Sequence, residues 1–224
     1  MPPIPKIVAF VEGHGDEKAV PILAKGVLKD IAAGSPVSSP VNISHEAWRV
    51  GHHHKLLKQE GKEWIRLLGT AVKRGAAAVL LVLDGDRLEN QCPVEQARRL
   101  VELAKSCGAG KIFSVAVVFA MQEIESWFIP DADALLKDGA WSPNRRGQII
   151  SVPGDPEKSP RDAKRWLSEN MADGYKPTIH QAEFAKRLNI ATVRSQNLRS
   201  FRRFENAVTA LSLAVISGEH VATP

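Results

Sequence analysis

The sequence predicts an α/β protein: a largely parallel sheet of about four strands flanked by helices, followed by a helical C-terminal extension. Three observations carry this expectation. Apolar runs of strand length alternate with segments of helical periodicity through residues 1–136. Those runs lack polar alternation, as strands covered on both faces do. From residue 137 the apolar runs give way to basic sequence with Pro and Gly.

Residues 4–11 read as a buried strand ending at Glu12-Gly13. Residues 16–33 read as a helix, because Ala19, Ile22, Leu23, Val27 and Ile31 recur at helical spacing. A Gly/Ser/Pro loop is expected over 34–40, and a strand within 41–50. Residues 56–74 read as an amphipathic helix that buries Leu57, Trp64, Leu67, Leu68 and Ala71 and stops at Gly75. The run 77–83 is the third strand. A helix over 93–106 opens at Pro93 and closes before Gly108. Residues 111–119 form the next strand, and a short helix is expected over 123–128. Right-handed crossovers place helices on both faces. Beyond this core, 140–159 reads as a long ordered loop. Ser159 and Pro160 open a helix to about residue 171, and further helices cover 181–188 and 200–216. The chain thus divides into an α/β core, 1–136, and a basic, mainly helical extension, 137–224, packed on it.

With 44% hydrophobic and 25% charged residues, the composition is that of a globular domain rather than a disordered chain or disulfide mini-protein. The longest apolar runs, 76–83 and 115–121, fall short of the roughly 20 residues that span a bilayer. The opening residues show no basic-then-apolar leader, so a cytoplasmic location without a membrane partner is expected. Cys92 and Cys107 fall at opposite ends of one expected helix, roughly 22 Å apart, and read as free thiols. Residues 1–136 hold 16 Lys/Arg and 16 Asp/Glu, whereas 137–206 hold 14 and 8. The basic excess suits a polyanionic partner, and it equally suits a solvated helical surface.

Two motifs carry chemistry. Val11-Glu12-Gly13 closes the first strand and Leu83-Asp84-Gly85-Asp86 the third. In open α/β sheets, ligands bind beyond the carboxyl ends of the strands. Adjacent strands would bring Glu12, Asp84 and Asp86 around one point, where their mutual repulsion calls for a divalent cation. Hard oxygen ligands suit Mg²⁺ or Mn²⁺. Gly13 and Gly85 remove bulk beside each acid, so that a phosphate or metal can approach the backbone. Taken singly, each motif also fits a helix cap or a solvated turn.

Glu12-Gly13 after one hydrophobic strand and Asp84-Gly85-Asp86 after another resemble the signature of the Toprim domain. That domain is shared by topoisomerases, bacterial primases and small nucleases, including the overcoming-lysogenisation-defect nucleases. The resemblance covers roughly residues 6–131. Most of the chain also resembles the domain-of-unknown-function family 4276. The segments that carry this are Phe10-Val11-Glu12-Gly13, Leu83-Asp84-Gly85-Asp86, Gln122-Glu123-Ile124-Glu125-Ser126-Trp127 and Ser200-Phe201-Arg202-Arg203-Phe204. The Toprim resemblance implies a Rossmann-like core, Glu12 as general acid/base or metal ligand, and Asp84 and Asp86 as Mg²⁺ ligands. The ion would polarise a phosphodiester and stabilise the displaced oxygen. Position 88 is Leu, so no third acid follows Asp86, and Tyr175, the only tyrosine, has no strand-transfer context. Topoisomerase activity by this chain alone is therefore not expected, and the sequence contains no primase zinc module. Glu123 and Glu125 are the candidates for the remaining carboxylate, the first as metal ligand and the second as catalytic group. Two apart on a helix they would diverge, so one of them is expected to face the site. In the alternative reading, Glu125 caps a short helix and Trp127 is core.

His52-His53-His54 is expected in a polar loop, from which the histidines and Lys55 could reach a phosphate backbone. Gly13-His14-Gly15-Asp16-Glu17-Lys18 imitates a dinucleotide fingerprint but has Lys18 in the third glycine's place, and no Walker loop occurs. Arg199, Arg202 and Arg203, with Lys158 and Lys164, are the candidate nucleic-acid contacts, and Gly13 is a candidate phosphate contact. The alternative places Phe201 and Phe204 in the core with the arginines merely outside. The expected function is Mg²⁺-dependent phosphodiester hydrolysis on nucleic acid, and the resemblance adds a place in a bacterial defence or repair system. Two other readings stand beside it: an inactive Toprim-like binding subunit for an ATPase or a nucleic acid, and a small-molecule phosphatase.

Overall fold

The computed structural model describes residues 6–33, 41–86, 88, 91–137 and 152–224. The loop expected over 34–40, and residues 140–151 of the next expected loop, lie outside them. In chain order the elements are β1 (Lys6–Val11), α1 (Asp16–Ala33), β2 (Asn42–Ile43), β3 (Trp48–Arg49), α2 (His53–Leu57), α3 (Lys62–Lys73), β4 (Ala76–Asp84), α4 (Pro93–Ser106), β5 (Ser114–Ala120), α5 (Ala132–Lys137), α6 (Ala163–Asn170), α7 (Pro177–Arg187), α8 (Ile190–Ser195), α9 (Arg199–Ser217) and β6 (Ala222–Thr223). Short 3-10 turns cover Lys58–Gly61, Ile124–Trp127 and Ile129–Asp131. No helix among the described residues is long and apolar enough to cross a membrane.

The sheet runs β2-β1-β4-β5-β6, with β3 also beside β1, and every pair is parallel. It has six strands rather than about four. The additional ones are two residues long, too short to leave a periodic signal, and the segment expected as one strand within 41–50 is broken into β2 and β3. Alternate residues of the three long strands serve opposite layers. Ile7, Ala9, Val11, Leu80, Val82 and Val118 pack with α1, α7 and α9. Val8, Phe10, Leu81, Leu83 and Val117 pack with α3 and α4. Both faces are covered, which is why the strands read as unbroken apolar runs.

The C-terminal extension supplies much of the first layer. Phe184, Phe201 and Phe204 are fully buried in the same cluster as β1 and β4. Trp127 meets Phe201 edge-on and Phe204 at a tilt, with ring centroids 5.5 Å and 5.1 Å away.

Four local expectations need correction. The helix expected over 56–74 is interrupted: Gln59, Glu60 and Gly61 adopt positive φ, and a side chain at Gly61 would strike Leu103. The three histidines do not form a polar loop, because His53 and His54 open α2 and His53 is buried against Phe119. The helix after Ser159 starts later, at Ala163, where Asp162 is the cap and accepts the Arg165 N–H at 2.8 Å. Helix α8 is additional to the expected elements.

Helix α9 is capped from far along the chain. Both carboxylate oxygens of the buried Glu157 accept backbone N–H groups at its start, from Arg199 at 2.8 Å and Ser200 at 2.7 Å. Glu157→Ala therefore strips two helix-end donors at once. A loss of about 2 kcal/mol is expected in urea unfolding, the upper range for a lost cap. An unchanged midpoint would show that water replaces the carboxylate freely.

Candidate active site

Parallel strands end at one edge, and the register sets how closely. Val11 of β1 pairs with Val82 of β4, and Asp84 pairs with Ala120 of β5. Glu12 just after β1, Asp84 at the last position of β4 and Glu123 shortly after β5 therefore emerge at one edge of the sheet. Gly85 is required there, because a Cβ would lie 2.7 Å from the Ala120 carbonyl oxygen. Gly85 donates its N–H to that same oxygen at 2.9 Å. The glycine thus admits the neighbouring strand rather than a ligand. Gly13 likewise serves the chain itself, donating its N–H to Asp16 Oδ2 at 2.9 Å.

At the centre lies the Lys164 ammonium, carried in by the first turn of α6. Its Nζ is 2.7 Å from Glu123 Oε2, 3.5 Å from Glu125 Oε2 and 3.8 Å from Asp84 Oδ2. The Lys164 N–H also donates to Glu123 Oε1 at 2.7 Å, so Glu123 holds both the helix end and the ammonium. Asp84 Oδ1 accepts the Ile124 N–H at 3.3 Å. Glu125 is 1% exposed and accepts the Tyr175 hydroxyl on Oε1 at 3.2 Å. Asp16, in the first turn of α1, accepts Gln181 Nε2 on Oδ1 at 2.6 Å. Glu12 Oε1 pairs with His52 Nδ1.

The electrostatics follow from crowding acids under cover. Burial, then the charges of Asp16 and Glu125, push the Asp84 carboxyl well above its ordinary range, against the pull of Lys164. Burial raises Glu125 to about 8; Lys164 opposes the shift and Glu123 adds to it. Burial also raises Asp16. Tyr175 is raised well above its ordinary value by burial and then by Glu125. Desolvation works against the charge on Lys164, but Glu125, Asp84 and Glu123 outweigh it and hold the ammonium protonated.

Of the expected residues, Glu12, Asp84, Glu123 and Glu125 come together. Both Glu123 and Glu125 face Lys164, contrary to the divergence expected on a helix. Glu123 has extended backbone, φ −153° and ψ 161°, and only the residues after it turn. Asp86 lies at the exposed rim, its N–H donating to the Gln122 carbonyl at 2.8 Å, and it does not join the contacts to Lys164. Lys55 is exposed on α2. Lys164 belongs to the acid cluster rather than to an outer basic surface. Lys158, Arg199, Arg202 and Arg203 line a separate groove. Sequence reasoning does not find Asp16, Tyr175 or Gln181. A carboxylate four residues after Glu12, across the strand-to-helix turn, is the available signal for Asp16. Nothing local marks the other two.

The oxygen-rich set fits Mg²⁺ or Mn²⁺ in kind. Glu12 Oε2 and Glu125 Oε2 are buried without a hydrogen-bond donor. In position, the Lys164 ammonium already fills the centre. Among the described residues no three His, Cys, Asp or Glu side chains are placed to share an ion.

Lys164→Met would leave the cluster without its counter-charge. A loss of about 2 kcal/mol at pH 8 is expected, below the roughly 3–5 kcal/mol of a fully buried pair because the lysine side chain is 38% exposed. Glu125 titrates near 8 in the folded chain and near its ordinary value when unfolded, so the folded state binds the extra proton between those values. Removing Lys164 raises it further. The loss should shrink as pH falls toward about 5, where the acids can be neutral. Denaturant melts at the two pH values check this, and equal losses would contradict it.

No curated protein and no solved structure matches the chain significantly. A protein-family model does match, over residues 11–209, a span that takes in every residue of the acid cluster from Glu12 to Gln181. The chain belongs to the family described as Domain of unknown function (DUF4276).

Proposed function

We propose that the chain is a Toprim-like, metal-dependent phosphodiester hydrolase that acts on nucleic acid with Mg²⁺ or Mn²⁺. One observation carries the reading: Asp84, Glu123 and Glu125, from separate strand ends and turns, converge on one half-buried cation, Lys164, and the charges of Asp16 and Glu12 act on Asp84 beside it. Packing like charges this closely is unfavourable, and a fold that needed only stability would replace them with apolar groups.

Glu12, whose Oε2 is buried without a hydrogen-bond donor, and Asp84 are the two residues that would hold the ion, with water and substrate oxygens supplying its other ligands. When bound, it polarises the phosphoryl oxygen and neutralises charge on the departing one. Lys164, kept protonated by its neighbours, presents a fixed positive charge to the phosphoryl oxygens as they gain negative charge. Glu125, titrating near 8, can hold a proton at neutral pH, and its Oε2 is the atom not engaged by Tyr175.

A second reading is a binding module that keeps the fold without turnover, serving an ATPase or a nucleic acid. It is favoured by Lys164 already supplying the cluster's counter-charge. Under the first reading, Mg²⁺ raises the melting temperature of the wild type and not of Asp84→Asn; under the second it raises neither.

The principal test is cleavage of plasmid DNA and of single-stranded RNA with Mg²⁺, Mn²⁺ or chelator. Asp84→Asn and Glu12→Gln are expected to lower the metal-supported rate by at least about a hundredfold with the circular dichroism unchanged. Undiminished cleavage by these variants, in preparations free of other nucleases, would sink the assignment. Hydrolysis of chromogenic monoesters without diester cleavage would instead mark a small-molecule phosphatase.

A further inference from the structure

The outer edge of β5 is only half covered. β6 pairs with Val115 and Ala116, and among the described residues no strand flanks Val117–Ala120 on the side away from β4. Helix α4 lies on one face of the sheet there and α9 on the other. Where the next strand would run, a groove of about 770 Å³ opens, with Val94 and Ala97 of α4 on one wall and Arg199, Arg202 and Arg203 of α9 on the other. Lys158 and Met121 lie between these walls.

The cations outnumber the acids in this groove. Asp155 pairs with Lys158 at 2.8 Å, and both oxygens of Glu157 are taken by the start of α9. Arg202 donates to Asn197 Oδ1 at 2.9 Å, and Arg203 reaches the Pro224 oxygen. The Arg199 guanidinium makes no hydrogen bond or ion pair among the described residues, although Lys158 lies close enough to repel it. Glu157 acts on Lys158 by its charge, but its oxygens are spent on the start of α9, so the Arg199 guanidinium is left to attract an anion from outside the chain. Met121 adds an exposed apolar surface at the groove's inner end.

The groove also adjoins the acid cluster. Met121 lines the groove and Glu123 touches Lys164, and two residues span at most about 7 Å. The Gln122 side chain bridges the two regions, donating to the Glu157 carbonyl at 3.2 Å.

We infer that this groove is the path of one nucleic-acid strand, its phosphates on Arg199, Arg202 and Lys158 and its bases toward Met121, leading into the acid cluster. The inference rests on the hydrolase reading for its direction but not for its binding. A single strand is favoured over a duplex because the groove lines its cations with the apolar side chains of Val94, Ala97 and Met121, which unpaired bases can meet and the stacked, paired bases of a duplex cannot. The charge favours phosphate over a neutral peptide added to the open strand edge.

The test is fluorescence anisotropy of a labelled oligothymidylate of about a dozen nucleotides, titrated in chelator so that no cleavage occurs. Arg199→Ala/Arg202→Ala should weaken binding about tenfold and flatten the logarithmic salt slope by about 1.4, the release expected for two contacts. Lys73→Ala, an exposed charge on α3, should change neither. Unchanged affinity and slope in the arginine variant, or equal losses in the Lys73 variant, would overturn the inference. So would equal competition by polyglutamate, which would assign the groove to an acidic protein segment, or tighter binding of the matching duplex. Plasmid cleavage with oligonucleotide binding indifferent to the arginines would remove the groove alone. Arginine-dependent binding without any metal-supported cleavage would remove the hydrolase alone.

Discussion

One ammonium among several buried carboxylates governs this molecule. Asp84, Glu123 and Glu125 each approach Lys164, and the charges of Asp16 and Glu12 bear on Asp84. In a low-dielectric setting these acids tolerate one another only by sharing that cation, by taking up protons, or both. Glu125 and Asp84 are both pushed toward the protonated form while Lys164 stays charged. The rest of the architecture can be understood as what holds this arrangement under cover. The parallel strands bring the acids to one edge, and the helices of the extension close over them.

The extension is consequently no appendage to a finished sheet. α7 sends Gln181 to Asp16 and Phe184 into the core, and α6 delivers Lys164. α9 lays Phe201 and Phe204 against Trp127, and the loop ahead of α6 holds the start of α9 through Glu157. The carboxylate that caps α9 belongs to the same stretch that leads into α6. The groove wall and the acid cluster therefore share their support.

Much of this is legible in the sequence, for identifiable reasons. The strands β1, β4 and β5 announce themselves because both faces are buried, leaving no polar residue to break the run. Glu12 and Asp84 can be placed together because parallel topology fixes which strand ends are neighbours. The limits are equally physical. Whether Glu123 and Glu125 share a face depends on one extended residue ahead of a 3-10 turn, a detail that helical spacing cannot carry. Lys164 looks like any basic residue of a charged helix, since its position depends on the path of the chain after residue 152. Asp86 looks equivalent to Asp84, yet only Asp84 is the last residue of β4 and stays covered.

Gln181 reaches Asp16 across 165 positions of chain, and Lys164 meets Glu123 across 41. Such remote partners find each other late, after the loops between them have closed. In the order of synthesis Asp84, Glu123 and Glu125 all precede the lysine that they approach. A chain cut short ahead of α6 would keep the strands that gather these acids but not the charge they gather around.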